Sequence, residues 1–222
     1  MEISIIHPSR NRPQMALETA TKWITRCKDT SHIEYILSLD NDDHLLMQYH
    51  DLFTRLKDQV AIIQHNNSSA VEAINNAAPK TTGRILVVVS DDFDCPNHWD
   101  EQLIVSLKDK QDFVVKTKDG LQPFIITLPI MDRLFYNRFG YVYNPIYKHM
   151  FCDTEMSCVG HMLGRTINLD ILFPHRHYTT RTTKRDAINI KNDQTFGTGA
   201  NIFKERKRIN FGITDPIHSC PL

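Results

Sequence analysis

The chain has 222 residues, 41% of them hydrophobic and 23% charged, the balance of a globular protein and not of a disordered one. Its 26 lysines and arginines offset 26 aspartates and glutamates, which excludes a chain that holds nucleic acid through a global basic excess. No run of 18 apolar residues occurs and no leader pattern opens the chain, so neither membrane insertion nor secretion is expected.

The first half alternates strands and helices. Ile3–Ile6 is a short apolar strand stopped at His7-Pro8. Pro13 sits well in the first turn of a helix that continues through Met15, Ala16, Ala20, Trp23, Ile24 and Cys27. Strands are predicted at Ile33–Leu39 and Val60–Gln64, a short helix at Ser69–Ala78, and the strongest strand at Ile85–Val89, apolar throughout as a strand covered on both faces should be. This order predicts an α/β fold with a central, mostly parallel sheet. Such sheets bind ligands beyond the carboxyl ends of their strands. There the sequence places three polar clusters, His7–Arg12, Asp40–Asp43 and Ser90–Asp94.

The second half is less regular. Helices are expected at Trp99–Leu107, Met131–Phe139 and Asp153–Leu163, with strands at Phe113–Val115 and Phe124–Leu128. From Arg176 to Arg208 nine lysines and arginines face three acidic residues, an excess of six. The five cysteines (Cys27, Cys95, Cys152, Cys158, Cys220) are odd in number, spread out and without a C-x-x-C pair. They read as reduced thiols in a cytoplasmic protein, neither a disulfide framework nor a zinc site.

Ser90, Asp91, Asp92 and Asp94 crowd oxygen donors at the end of a buried strand. Carboxylates this close must be protonated, solvated or neutralised, and a hard divalent ion such as Mg²⁺ or Mn²⁺ uses such donors together with phosphate oxygens. A solvated Asp-rich turn is the plainer alternative.

Several motifs in the same order resemble the GT-A glycosyltransferases of the family 2-like group. They are the turn Ile5-Ile6-His7-Pro8-Ser9-Arg10-Asn11-Arg12-Pro13, the acidic turn Leu39-Asp40-Asn41-Asp42-Asp43, the helix Ala73-Ile74-Asn75-Asn76-Ala77, the D-x-D-like Ser90-Asp91-Asp92-Phe93-Asp94, Gly140–Pro145, His149–Met156, and the H-x-H His175-Arg176-His177. The likeness covers residues 1–178. It implies a single catalytic domain there, with a nucleotide-binding half (1–105), an acceptor half (106–178) and a basic C-terminal arm (179–222).

The resemblance implies a metal-dependent, inverting transfer of sugar from a nucleoside diphosphate sugar, with a UDP-sugar expected, to an acceptor hydroxyl. Pro8, Ser9, Arg10, Arg12 and Asp40 would frame base and ribose, and Asp91 could face the ribose. Asp92 is the first metal ligand and Asp94 the second, with His175 or His177 adding a nitrogen to Mn²⁺ or Mg²⁺. Asp153 would be the catalytic base and Glu155 its substitute, although Asp153 also suits a helix cap. Arg176, Arg181 and Arg185 could close over the diphosphate, unless the arm instead docks a partner.

No Q-x-x-R-W stretch is present, which argues against a processive polysaccharide synthase. The acceptor stays open between a glycan, a protein, a small molecule and, less favoured, nucleic acid. The compact chain would suit a viral or phage-encoded enzyme. A nucleotidyltransferase is disfavoured because residues 1–13 contain no glycine for a phosphate loop, and a non-catalytic binding module because Asp92, Asp94 and Asp153 are all present.

Overall fold

The computed structural model describes residues 1–180 and 184–222. Seven strands form one sheet in the order β3-β2-β1-β4-β6-β5-β7: β1 (Ile3–Pro8), β2 (Ile33–Asp40), β3 (Val60–His65), β4 (Ile85–Val88), β5 (Val114–Lys118), β6 (Ile130–Asp132) and β7 (Thr166–Leu172). β1 pairs in parallel with β2 and β4, β2 with β3, and β5 with β7, while β6 runs antiparallel to both β4 and β5. The sheet is therefore mixed and mostly parallel, as expected.

Alternation along the central strands feeds two cores. Ile3, Ile5, Ile85, Val87 and Val89 face a cluster built around Trp23, Trp99 and Phe173. Ile6, Leu86 and Val88 face the other, which holds Val71, Met131, Met156 and Phe203. Apolar residues on both faces are what a strand covered on both sides requires. The helices are α1 (Pro13–Thr25), α2 (Leu46–Phe53), α3 (Ala70–Ala77), α4 (Trp99–Leu107), α5 (Arg133–Phe139), α6 (Cys152–Met162), α7 (Ala187–Asp193) and α8 (Phe196–Arg208). Pro13 opens α1, and Ser69 caps α3 by accepting the Glu72 amide.

Several expectations are corrected. Residues 124–128 form no strand; the strand lies at Ile130–Asp132 and takes Met131 from the predicted helix. Asp132 sets that boundary. Its carboxylate accepts the amides of Phe135, Asp112 and Phe113, capping α5 and closing the turn into β5. The reading of every cysteine as a free thiol also fails, because Cys158 of α6 and Cys220 form a disulfide. Cys27, Cys95 and Cys152 are free.

The basic arm is packed against the body. Phe203 and Phe211 are buried in the second core, and Arg206 reaches a buried carboxylate on α6. A Cβ on Gly199 would stand 2.4 Å from the Met150 carbonyl oxygen, so only glycine lets α8 approach the loop before α6 this closely.

Candidate active site

β1 is the strand from which the chain winds outward through β2 and β3, and β4 starts the return on its other side. The crevice between the carboxyl ends of β1 and β4 is thus the switch point of the sheet, where ligands of open α/β sheets bind. A cavity opens there. Its walls are the turn after β1 (Pro8, Ser9, Arg10, Arg12), Asp40 after β2, the start of α3, Ser90–Phe93 after β4, the Lys148–Asp153 segment, His175, His177, and Ile188, Asn189, Lys191, Asn192 and Thr195 from the arm. The three polar clusters predicted to meet do meet.

Asp91 is a structural anchor. It is 3% exposed, and His7 Nε2 lies 2.9 Å from one carboxylate oxygen while Ser9 Oγ donates to the other at 3.1 Å. Thr19 donates to its carbonyl, and Arg12 stands 3.8 Å away. The other ring nitrogen of His7, Nδ1, lies 2.7 Å from the Tyr35 hydroxyl. The Tyr49 hydroxyl closes the set by binding Ser9 Oγ and accepting the Arg12 amide. These bonds fasten the β1 turn to the β4 turn and engage both carboxylate oxygens of Asp91.

Asp92 faces the cavity. Ser90 Oγ donates to it at 2.6 Å, and His175 Nε2 lies 3.2 Å from its other oxygen. Burial opposes its ionisation, but His175, Ser90 and Arg12 outweigh that and hold the carboxyl well below the usual range. His175 is fixed by stacking on Phe93 at 4.2 Å and by an isolated β-bridge to it. His177 stands beside it, with ring centroids 5.1 Å apart, and burial lowers its pKa.

Asp94 is placed elsewhere. It does not line the cavity, and its carboxylate lies 3.0 Å from Lys22 Nζ and within 4 Å of Arg26 and Arg176. The pattern Asp92-x-Asp94 is therefore not a pair of converging ligands, because Lys22, Arg26 and Arg176 draw the Asp94 carboxylate away from the cavity.

Among the described residues no group of three or more His, Cys, Asp and Glu side chains is arranged to hold a metal ion. Asp92 and His175 nevertheless suit one. Oxygen and nitrogen donors each about 2.1 Å from an ion at right angles stand about 3 Å apart, close to the separation seen. Two protein donors leave the remaining positions to water and phosphate oxygens, which is how Mg²⁺-like ions are commonly held.

The two predicted base candidates part company. Asp153 lines the cavity from the first turn of α6, and burial raises its carboxyl pKa although the Thr154 amide and hydroxyl bind it. It is not the cap: that position belongs to Phe151, in left-handed backbone at φ 73° and held by the rings of Phe196 and Phe203 on α8. Glu155 does not line the cavity. It is 3% exposed and binds Arg206 at 2.8 Å, the Tyr147 hydroxyl at 2.7 Å and Asn144 at 2.9 Å. That carboxylate is committed to holding α6, the preceding loop and α8 together.

The nucleotide-frame candidates are in place but mutually engaged. Arg10 donates to Asp40 at 2.6 Å and to Asp42 at 2.5 Å, while Asn67 binds the other Asp40 oxygen at 2.8 Å. Arg12 forms a two-bond pair with Asp186, both contacts at 2.7 Å. Arg176 lies under the Asp91–Asp94 turn, its amide bonded to the Asp92 carbonyl at 2.7 Å, and does not line the cavity. Arg185 binds Asp193 at 2.6 Å. Arg181 lies outside the described residues.

Sequence reasoning missed Lys148, His149 and the α7 residues as cavity walls. Burial drives the His149 pKa down to about 4, so the ring is neutral at pH 7. A signal for α7 was present in Asp186-x-x-Asn189, which forms a reciprocal capping box.

Three solved structures share the architecture. A mannosyltransferase from Pyrobaculum calidifontis, PcManGT in complex with GDP-Man and Mn²⁺, superposes with a TM-score of 0.63 at 14% identity, over 78% of this chain and 56% of that one. S. aureus TarS 1-349 in complex with UDP-GlcNAc gives 0.63 at 14%, over 78% and 57%. GalNAc-T7 with UDP, GalNAc and Mn²⁺ gives 0.63 at 13%, over 78% and 43%. The chain thus spans between 43% and 57% of the length of these structures, and the likeness establishes the GT-A fold. No curated protein sequence matches the chain. The glycosyl transferase family 2 profile matches residues 4–166, well over half of the chain and including every strand from β1 to β6. The chain belongs to glycosyl transferase family 2.

Proposed function

We propose that the chain is a metal-dependent, inverting glycosyltransferase that moves a sugar from a nucleoside diphosphate sugar to an acceptor hydroxyl. The observation that carries this reading is that Asp92 and Asp153 open onto one cavity at the switch point of the sheet. One carboxylate is held ionised beside an imidazole, and the other is made more basic by burial. Family membership and the nucleotide-sugar complexes of the similar structures support the donor class.

In this reading Asp153 takes the acceptor's proton as its oxygen attacks the anomeric carbon, in a single displacement with one base. The raised pKa strengthens it for that step. Asp92 and His175 would hold Mn²⁺ or Mg²⁺, which when bound neutralises charge on the leaving diphosphate. Arg12, Lys148 and Lys191 add positive charge to the same cavity. The turn Pro8–Arg12 and Asp40 bound the nucleoside end, and α7 covers the site, limiting water and hence wasteful hydrolysis.

Calorimetric titration of UDP, GDP, CDP and dTDP, each with and without Mn²⁺, tests the reading. One diphosphate, UDP first in expectation, should bind only with metal. The Asp92→Asn variant should weaken that binding at least about tenfold, or about 1.4 kcal/mol. Absence of binding by all four to the folded chain would overturn the proposal.

A further inference from the structure

A second cluster of metal-type ligands lies away from the cavity, on the outer part of α6. Cys158 and His161 are three residues apart on that helix and so share a face. The C-terminal segment crosses it, fastened by the amides of Ile217 and His218, which both bond to the Met162 carbonyl, at 2.7 and 3.2 Å. This crossing sets His218 against His161 and Cys220 against Cys158. The two histidines are exposed, and no hydrogen bond to either ring is present among the described residues. Cys158 is fully buried and Cys220 half-buried.

The geometry points to a structural zinc site formed by Cys158, His161, His218 and Cys220 when the two cysteines are reduced. The donor set is Cys₂His₂, which closed tetrahedral zinc sites use. Two imidazoles on one tetrahedral zinc, each nitrogen about 2.0 Å from the metal, put their ring centroids about 5 Å apart. The centroids of His161 and His218 are 5.1 Å apart. While the sulfurs are joined they are unavailable as ligands, and no three-donor group exists among the described residues. A dithiol reductant supplies the two electrons and two protons that open the bond. The two thiols then release their protons to solvent as Zn²⁺ binds the thiolates. Disulfide and zinc are thus alternative staples for the same crossing of the C-terminal segment over α6. This inference does not depend on the proposed function.

Co²⁺ is the probe, added to the full chain reduced with dithiothreitol and then freed of it without air and, separately, to the oxidised chain. The reduced chain should bind one Co²⁺ with intense tetrahedral d–d bands and a near-ultraviolet sulfur-to-cobalt charge-transfer band, and Zn²⁺ should displace it. The oxidised chain should show neither band. The substitutions His161→Ala and His218→Ala fall on exposed residues and should each weaken Zn²⁺ binding at least about tenfold, as loss of one of four ligands predicts. An ion at Asp92 and His175 has no sulfur donor and gives no charge-transfer band, so the two sites are distinguishable. A reduced, folded chain without that band, or a band unchanged in both histidine variants, would overturn the assignment and leave a disulfide alone.

Discussion

The Asp153→Asn variant is expected to lose sugar transfer almost completely while becoming more stable. A positioned general base contributes about 10²–10⁴ in rate, so kcat should fall by about that factor with donor affinity little changed. The stability change follows from the sign of the pKa shift. Burial raises the carboxyl pKa in the folded state, so the folded chain holds its proton to higher pH than the unfolded chain does. Stability then falls as pH rises from the ordinary aspartate range through the folded pKa, and the deficit persists above it. Asparagine carries no such deficit and can still accept the Thr154 amide. The variant should therefore melt at a higher temperature than the parent at pH 7, and at the same temperature or lower near pH 3. In the parent, the acid limb of kcat/KM should lie above the ordinary aspartate range. Paired pH–rate and pH–melting profiles decide the matter. Full activity in the variant would remove Asp153 from the chemistry.

The Glu155→Ala variant should show the opposite pattern, a large loss of stability with the chemistry intact in the molecules that stay folded. Its carboxylate is buried against Arg206, Tyr147 and Asn144. Removing one partner of a buried pair leaves the other uncompensated, typically at a cost of about 3–5 kcal/mol. For a chain of this size that lowers Tm by roughly 10 °C. Because an apolar pair of similar volume often matches a buried ion pair, Glu155→Leu combined with Arg206→Met should recover much of the loss. A single variant that melts within about 1 °C of the parent would refute the structural role given to Glu155.

The contrast between these two carboxylates marks where sequence reading stops. Both stand in the first turn of one helix, two residues apart, and both match the same motif. The turn geometry of α6 aims Asp153 at the cavity and Glu155 at α8, and that difference depends on Arg206, which is 51 residues away. Asp92 and Asp94 separate for the same reason, with Lys22 and Arg26 of the α1 end drawing Asp94 aside. Local periodicity was enough for β1, β4, α1 and α4, whose apolar patterns are strong. It was too weak for β7, an edge strand with one face open to solvent. It also failed for α7, where charge counting masked a capping box, and for the cysteines, where only the chain crossing brings Cys158 and Cys220 together.

Arg12 and Asp186 meet across 174 residues of sequence. One wall of the cavity is laid down in the first dozen residues and another only when α7 exists. A ribosome adds about 5–20 residues per second. The β1–β4 half of the sheet is therefore complete several seconds before the residues that cover its ligand crevice have been made. During that interval the chain already presents Asp92 and the β1 turn without a cover. Closing so long a loop costs little more entropy than closing one half its length, but it must wait for the chain. Chains stalled on the ribosome before α7 has been made should then already protect the amides of Ile5 and Val87, with protection of Asn189 appearing only in the released chain, as pulsed hydrogen exchange on the two would reveal.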